Sequence, residues 1–184
     1  PLDDPGLTAE DQKAGLAFMR LLVEVSAPCP GGGPVKPPIM DEEGAPPADS
    51  EGPPPLADAP EGPVPVADPA PPADAPFDFE RMRKEVELDP LEKCAAPLHG
   101  RRIAQALDGT GDPTPAHVKK VLDKAGYVHY RVLGLTEANG RVEFTLDLRG
   151  GELCLDGSYD GTRTTFDPYG ANPGVYCTDV KRRG

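Results

Sequence analysis

The sequence predicts an α+β fold in which short helices pack on a four- to five-stranded antiparallel meander, together with a disordered, acidic, proline-rich segment. The meander is indicated by three turn dipeptides that follow one another about ten residues apart between strand-like runs. They are Asn139-Gly140, Gly150-Gly151 and Asp160-Gly161. The helices are indicated by apolar residues at helical spacing before these runs. The disordered segment is indicated by the 17 prolines between residues 26 and 76.

The first helix is predicted to begin after Thr8, a favourable N-cap residue that precedes two acidic residues. Its apolar residues share one face and recur at helical spacing: Ala14, Ala17, Phe18, Leu21, Leu22 and Val25. Pro28 and Pro30 are expected to end it. Because a single amphipathic helix of this length is only marginally stable alone, we expect residues 1–27 to dock on the C-terminal domain.

Residues 28–76 are predicted to form a disordered linker that is acidic and rich in proline and alanine. Between residues 26 and 76 the chain has nine acidic residues, one basic residue and no aromatic residue. Such a segment cannot bury enough apolar surface to offset its conformational entropy. Residues 1–76 have a net charge of −11 and residues 77–184 have one of −1, so the acidity belongs to the N-terminal part.

Residues 77–184 are predicted to form the α+β domain. Its first part, residues 77–88, is expected to be a charged helix. A short helix should follow, with Asp89 as N-cap and Pro90 in the first helical position, and Pro97 is expected to end it.

Two more helical segments are expected before the sheet. Residues 99–107 should form one or two turns. The clearer helix has Thr114 as N-cap, Pro115 in its first position and Gly126 as the left-handed residue after its end. Its expected buried face consists of Val118, Val121, Leu122 and Ala125.

The four principal strands are expected over residues 127–135, 141–149, 152–159 and 162–166. In the second strand, apolar residues alternate with polar ones from residue 142 onward. This alternation predicts a sheet with one face packed on the helices and the other in water. Residues 175–177 are expected to form either an edge strand or a tail that is tied to the domain.

Four cysteines indicate two disulfide bonds, since their number is even and no CxxC pair or zinc-type spacing occurs. We favour the pairs Cys29–Cys94 and Cys154–Cys177, which would be worth about 4 and 3 kcal/mol by loop entropy. Disulfides imply an oxidising compartment. We therefore expect a secreted or envelope-anchored protein that is not transmembrane in this sequence. A signal or anchor upstream of residue 1 would fit this interpretation.

The stretch from Asp156 to Asp167 has the side-chain spacing of a calcium-binding loop, with Ser158 and Asp160 between them. A standard loop has a glutamate in its last position and helices on both sides. Here the last position is an aspartate and both flanks are strand-like. We therefore expect a hairpin that turns at Asp160, and we keep calcium binding as an alternative.

Three histidines, His99, His117 and His129, are the candidates for acid–base chemistry. His117 is expected to be solvated on its helix, whereas His129 is expected on the first strand, where it could line a groove. No GxSxG, phosphate-loop or HExxH motif occurs. The basic clusters are too small to predict nucleic-acid binding. We therefore expect neither a catalytic residue nor a cofactor.

The sequence as a whole favours a non-enzymatic extracytoplasmic binding module, displayed on a proline-rich spacer and directed at a protein or cell-envelope partner. In composition it resembles exported or surface-anchored bacterial proteins. One alternative is an inhibitor or immunity-like protein of a hydrolase, since a helix on a meander is similar to cystatin-like inhibitors. Others are a small enzyme that uses His129 with strand carboxylates, and a calcium-stabilised domain.

Overall fold

The computed structural model describes residues 8–33 and 76–183. Within these ranges it contains four α-helices and one four-stranded antiparallel sheet. The helices are α1 (Ala9–Ser26), α2 (Phe79–Met82), α3 (Pro90–Leu107) and α4 (Pro115–Lys124). The strands are β1 (Val132–Ala138), β2 (Arg141–Asp147), β3 (Cys154–Tyr159) and β4 (Thr164–Tyr169). Each strand pairs with the next in the order β1-β2-β3-β4, which confirms the predicted α+β class. The predicted disordered segment lies outside the described residues over 34–75.

α1 begins with a reciprocal capping box. The Thr8 hydroxyl accepts a hydrogen bond from the Asp11 N–H, and the Asp11 carboxylate accepts one from the Thr8 N–H, both at 3.1 Å. The inner face of the helix buries Phe18, Leu21 and Leu22 in the main hydrophobic core. α1 therefore shares one core with the helices and strands that follow residue 78.

α3 runs without interruption through Pro97, where the sequence predicted an end. Proline has no N–H, so the helical bond to the carbonyl of Lys93 is missing. Both residues are exposed, and the freed carbonyl can therefore be hydrated. On the opposite side, Ala96 and Ile103 are buried in the core, which holds both halves of the helix in one line.

Residues 84–88 are not helical, so the predicted helix over 77–88 is wrong beyond its first turn. Val86 and Gly170 exchange backbone hydrogen bonds of 2.9 and 3.0 Å, and the Lys181 N–H donates to the Arg83 carbonyl at 2.7 Å. These partners lie far along the chain. Tertiary pairing therefore outweighs the local helix propensity of this charged segment.

β1 begins at residue 132 and not at residue 127, as was predicted. The N–H of Tyr127 donates to the Leu122 carbonyl at 3.0 Å, and that of Gly126 donates to Asp123 at 3.1 Å. These bonds close the end of α4 in a Schellman motif, with Gly126 at φ +98°. The N–H of Tyr127 is thus bonded within the helix cap and does not pair with a neighbouring strand.

The sheet packs one face on the helices, as its alternation predicted. Val142, Phe144 and Leu146 on β2 are buried in the core, while Arg141 and Glu143, which point to the other face, are exposed. Phe144 lies against Gly157 of β3, where an added Cβ would be 2.3 Å from the ring. A side chain at residue 157 would therefore displace this ring.

Candidate binding surface

Two disulfide bonds fasten the ends of the fold. Cys29, just after α1, is bonded to Cys94 in α3, and Cys154 of β3 is bonded to Cys177 in the C-terminal tail. These are the two pairings that the sequence favours. They indicate an oxidising environment. The tail is thus tied down as a 3₁₀ turn over Cys177–Asp179, one of the two alternatives expected for it.

The two outer aspartates of the calcium-like stretch bind an arginine. Asp156 and Asp167 lie opposite each other on β3 and β4. The Arg182 guanidinium donates to them at 2.9 and 2.6 Å, and to Glu85 at 3.1 Å. The guanidinium also lies 3.7 Å from the centroid of the Tyr169 ring. The C-terminal tail therefore covers part of the outer face of the sheet.

The two inner residues of that stretch have separate roles. Asp160 accepts hydrogen bonds from the N–H groups of Arg163 and Thr162 at 2.8 and 2.9 Å, which lowers the pKa of its carboxyl. Ser158 donates to Glu143 on the neighbouring strand at 2.9 Å. Asp160 thus shapes the turn between β3 and β4, and this stretch is a hairpin.

The surroundings of His117 and the position of His129 differ from those predicted. His117 is hydrogen-bonded and not simply solvated, since its Nε2 lies 2.8 Å from the Thr110 hydroxyl. That hydroxyl is also 2.8 Å from the hydroxyl of Tyr159. His129 lies in the 3₁₀ turn that precedes β1 and not on the strand. It lines a shallow groove of about 280 Å³ with Asp123 of α4. None of the carboxylates on the described strands lines this groove, although the enzyme alternative would need one there.

His99 is buried in the core, and its Nδ1 lies 2.9 Å from the Tyr127 hydroxyl. Burial, with the nearby Arg102 and Arg149 guanidinium groups, lowers the pKa of His99 from 6.5 to about 4. A neutral imidazole that carries its proton on Nε2 accepts this hydrogen bond at Nδ1.

Because of His99, we expect the free energy of unfolding to decrease as the pH is lowered from about 6.5 to 4. The unfolded chain binds a proton in this range that the folded chain does not, so the full contribution is present only above pH 6.5. At 1.36 kcal/mol per pKa unit, the loss amounts to about 3 kcal/mol. Urea unfolding of the wild type and of His99→Gln should show a difference in stability that shrinks from about pH 7 to pH 4.5. An unchanged difference would contradict this assignment.

α1 has a second apolar side, opposite the one that faces the core. Leu16, Met19 and Val23 lie on it, with 65%, 56% and 42% of their surfaces exposed. Their spacing of three and four residues places them in one row along the helix. We call this row the outer stripe. The sequence prediction named only the inner face, although the spacing of these three residues was a readable signal.

Two concave regions adjoin the outer stripe and share Met19 and Val23. The first, of about 450 Å³, runs along α1 itself and also includes Arg20 and Glu24. The second, of about 310 Å³, lies between α1 and the turn that joins β2 to β3. Its walls are formed by Phe18, Met19, Leu22, Val23, Arg131, Leu148, Arg149, Gly150 and Glu152. The outer stripe is therefore bordered by a groove rather than by a flat surface.

A buried ion pair holds one wall of this groove. Asp89 caps α3 and accepts a hydrogen bond from the Glu92 N–H at 2.8 Å, which places Glu92 in the first turn. Glu92 is only 1% exposed, and its Oε1 accepts a hydrogen bond from Arg149 at 3.0 Å. Its Oε2 has no hydrogen-bond partner among the described residues. Burial raises the pKa of Glu92, and the Arg149 guanidinium opposes that rise.

A second ion pair lies beside the first, between Arg131 and Asp147 at 3.2 Å. Asp147 also accepts a hydrogen bond from the Gly151 N–H at 3.0 Å, so it shapes the turn between β2 and β3. Both arginines of the groove are thus positioned by carboxylates. Each arginine is brought to its carboxylate by the tertiary fold, and the sequence pattern contained no signal for either pair.

The chain matches no protein-family model, and comparison with curated proteins and with solved structures also yields no match. Among the described residues, none of the helices combines the length and apolar character needed to cross a bilayer.

Proposed function

We propose that this chain is a non-enzymatic binding module that acts outside the cytoplasm and contacts a protein partner through the outer stripe of α1. The observation that carries the proposal is the second apolar side of a helix whose first side already fills the core. Helices that are apolar on two sides are normally covered on both. Rows of exposed apolar side chains beside a groove are typical of interaction sites.

The energetics favour a partner. Burial of one large aliphatic side chain is worth about 1.5–3 kcal/mol, so three adjacent exposed ones leave a substantial gain for association. α1 is held by the core and by the bond from Cys29 to Cys94. A surface that is rigid before binding loses little conformational entropy in the complex.

The proposed location is supported by the two disulfides. Both disulfides require an oxidising compartment to persist, and a secreted or envelope-anchored protein meets that requirement. A partner in the cell envelope or in the surroundings of the cell is therefore proposed, and no catalytic role is assigned.

The proposal is tested by a photo-crosslinking residue at position 19 in the cells that produce the protein. The same residue at position 120, which is exposed on α4, is the matched control. We expect a discrete adduct from position 19 alone, and its component is then identified by mass spectrometry and purified.

The purified component should bind the wild type about 30-fold more tightly than Met19→Glu, as expected for a central contact worth about 2 kcal/mol. Met19 is exposed, so thermal unfolding of the variant should be unchanged. Lys120→Glu should bind like the wild type. Equal affinities of wild type and Met19→Glu would refute the outer stripe as the contact surface.

A further inference from the structure

We propose that the partner of the outer stripe is a second copy of this chain, which packs its α1 antiparallel to the first. This inference rests on the proposed function, since it names the occupant of the same surface. It depends on the order of residues along this surface of α1 and on their charges.

The residues along the outer surface of α1 are symmetric in position. The concavity along the helix is lined by Leu16, Met19, Arg20, Val23, Glu24 and Ala27. Because these residues recur at spacings of three and four, a twofold axis that passes beside α1 at the height midway between residues 21 and 22 exchanges their positions between the two copies. Two copies that meet on this axis therefore present the same patch to each other, as a closed dimer requires.

The charges on this surface are complementary under the same symmetry. Arg20 and Glu24 are exposed, and neither makes an ion pair among the described residues. In the antiparallel pair, Arg20 of one copy lies within about 1.5 Å, measured along the axis, of the height of Glu24 in the other. Both reciprocal ion pairs then lie along one side of the apolar contact made by Met19 and Val23.

A lipid surface fits this stripe less well. Helices that lie on membranes carry several basic residues on their polar face. The stripe here is bordered by one basic and one acidic residue, and the first turn of α1 is acidic at Glu10 and Asp11. One basic and one acidic residue beside the stripe are complementary to a protein surface that also has one charge of each sign.

The predicted dimer is weak. α1 has 18 residues and is therefore about 27 Å long, and one pair of such helices buries less than a standard interface. We expect dissociation in the micromolar range, which sedimentation measurements can follow.

Sedimentation equilibrium of the full chain and of two charge-reversal variants tests the inference. Arg20→Glu places two acidic residues on each copy, and Glu24→Arg places two basic residues there. Each variant alone should be at least tenfold weaker in self-association than the wild type, because both reciprocal pairs become repulsive. An equimolar mixture should form a heterodimer as tight as the wild-type dimer, because both pairs are then attractive. Lys120→Glu is the matched control and should dimerise normally.

A wild-type chain that stays monomeric at about 1 mM, or a mixture that fails to restore association, would overturn the inference. The proposed function has a separate readout, since position 19 would still crosslink to a different protein and Met19→Glu would still lose it. Failure of the dimer and failure of the binding surface are thereby distinguished.

Discussion

Replacement of Cys29 and Cys94 by alanine should lower the free energy of unfolding by about 4 kcal/mol. The bond closes a loop across a sequence separation of 65 residues, and its loss restores the entropy of that loop to the unfolded chain. It is also the covalent link between α1 and α3. We therefore expect the amide hydrogens of α1 to exchange much faster in the variant, while those of the sheet change less.

The second disulfide supplies the control. Its separation is 23 residues, so replacement of Cys154 and Cys177 by alanine should cost about 3 kcal/mol. This change should loosen the C-terminal tail and leave α1 protected. Urea unfolding gives the free energies, and hydrogen exchange followed by mass spectrometry locates the loosened segment. Equal protection of α1 in both variants would contradict the role of the first bond in fixing this helix.

Removal of Arg149 should be comparably severe. Arg149→Met leaves the Glu92 carboxylate buried without its cation, and broken pairs of this kind cost about 3–5 kcal/mol. Urea unfolding near pH 7 measures the loss. The double variant Glu92→Gln with Arg149→Met has no buried charge at this site, so it should regain most of the stability.

The pH dependence of Arg149→Met gives a second check with a definite sign. Burial raises the pKa of Glu92 in the folded state above its ordinary value of 4.5, and loss of Arg149 removes the opposing effect. The folded chain then binds a proton that the unfolded chain releases. The stability deficit of Arg149→Met should therefore shrink as the pH falls through the folded pKa toward 4.5. A deficit that is constant with pH would show that Glu92 is not the destabilising group.

Local signals in the sequence were sufficient for much of the fold. Thr8 and Thr114 cap the helices that they were expected to cap, because each hydroxyl accepts a hydrogen bond within its own first turn. Gly126 ends α4 for an equally local reason, its positive φ. The strand order followed from the turn dipeptides, since consecutive hairpins can only give a meander.

Apart from the two disulfide pairings, features that depend on distant contacts were not predicted. Pro97 does not end α3, because packing of the other side of the helix outweighs one lost hydrogen bond on the exposed side. The segment after α2 is extended because it pairs with Gly170 and Lys181. The groove wall at Arg149 could not be foreseen, since its partner lies 57 residues away. The outer stripe differs from these cases, because its three apolar residues lie within one helix and their spacing is visible in the sequence.

The most direct test of the binding surface is hydroxyl-radical footprinting of Met19 on the producing cells and on the purified chain at low concentration. Met82 on α2 is the internal reference within the same molecule. If the outer stripe is the contact surface, Met19 should be oxidised several-fold more slowly on the cells than in the purified chain, with Met82 unchanged. Equal oxidation of Met19 in both states would mean that the stripe is uncovered where the protein works, and it would contradict the assignment of α1 as the binding surface.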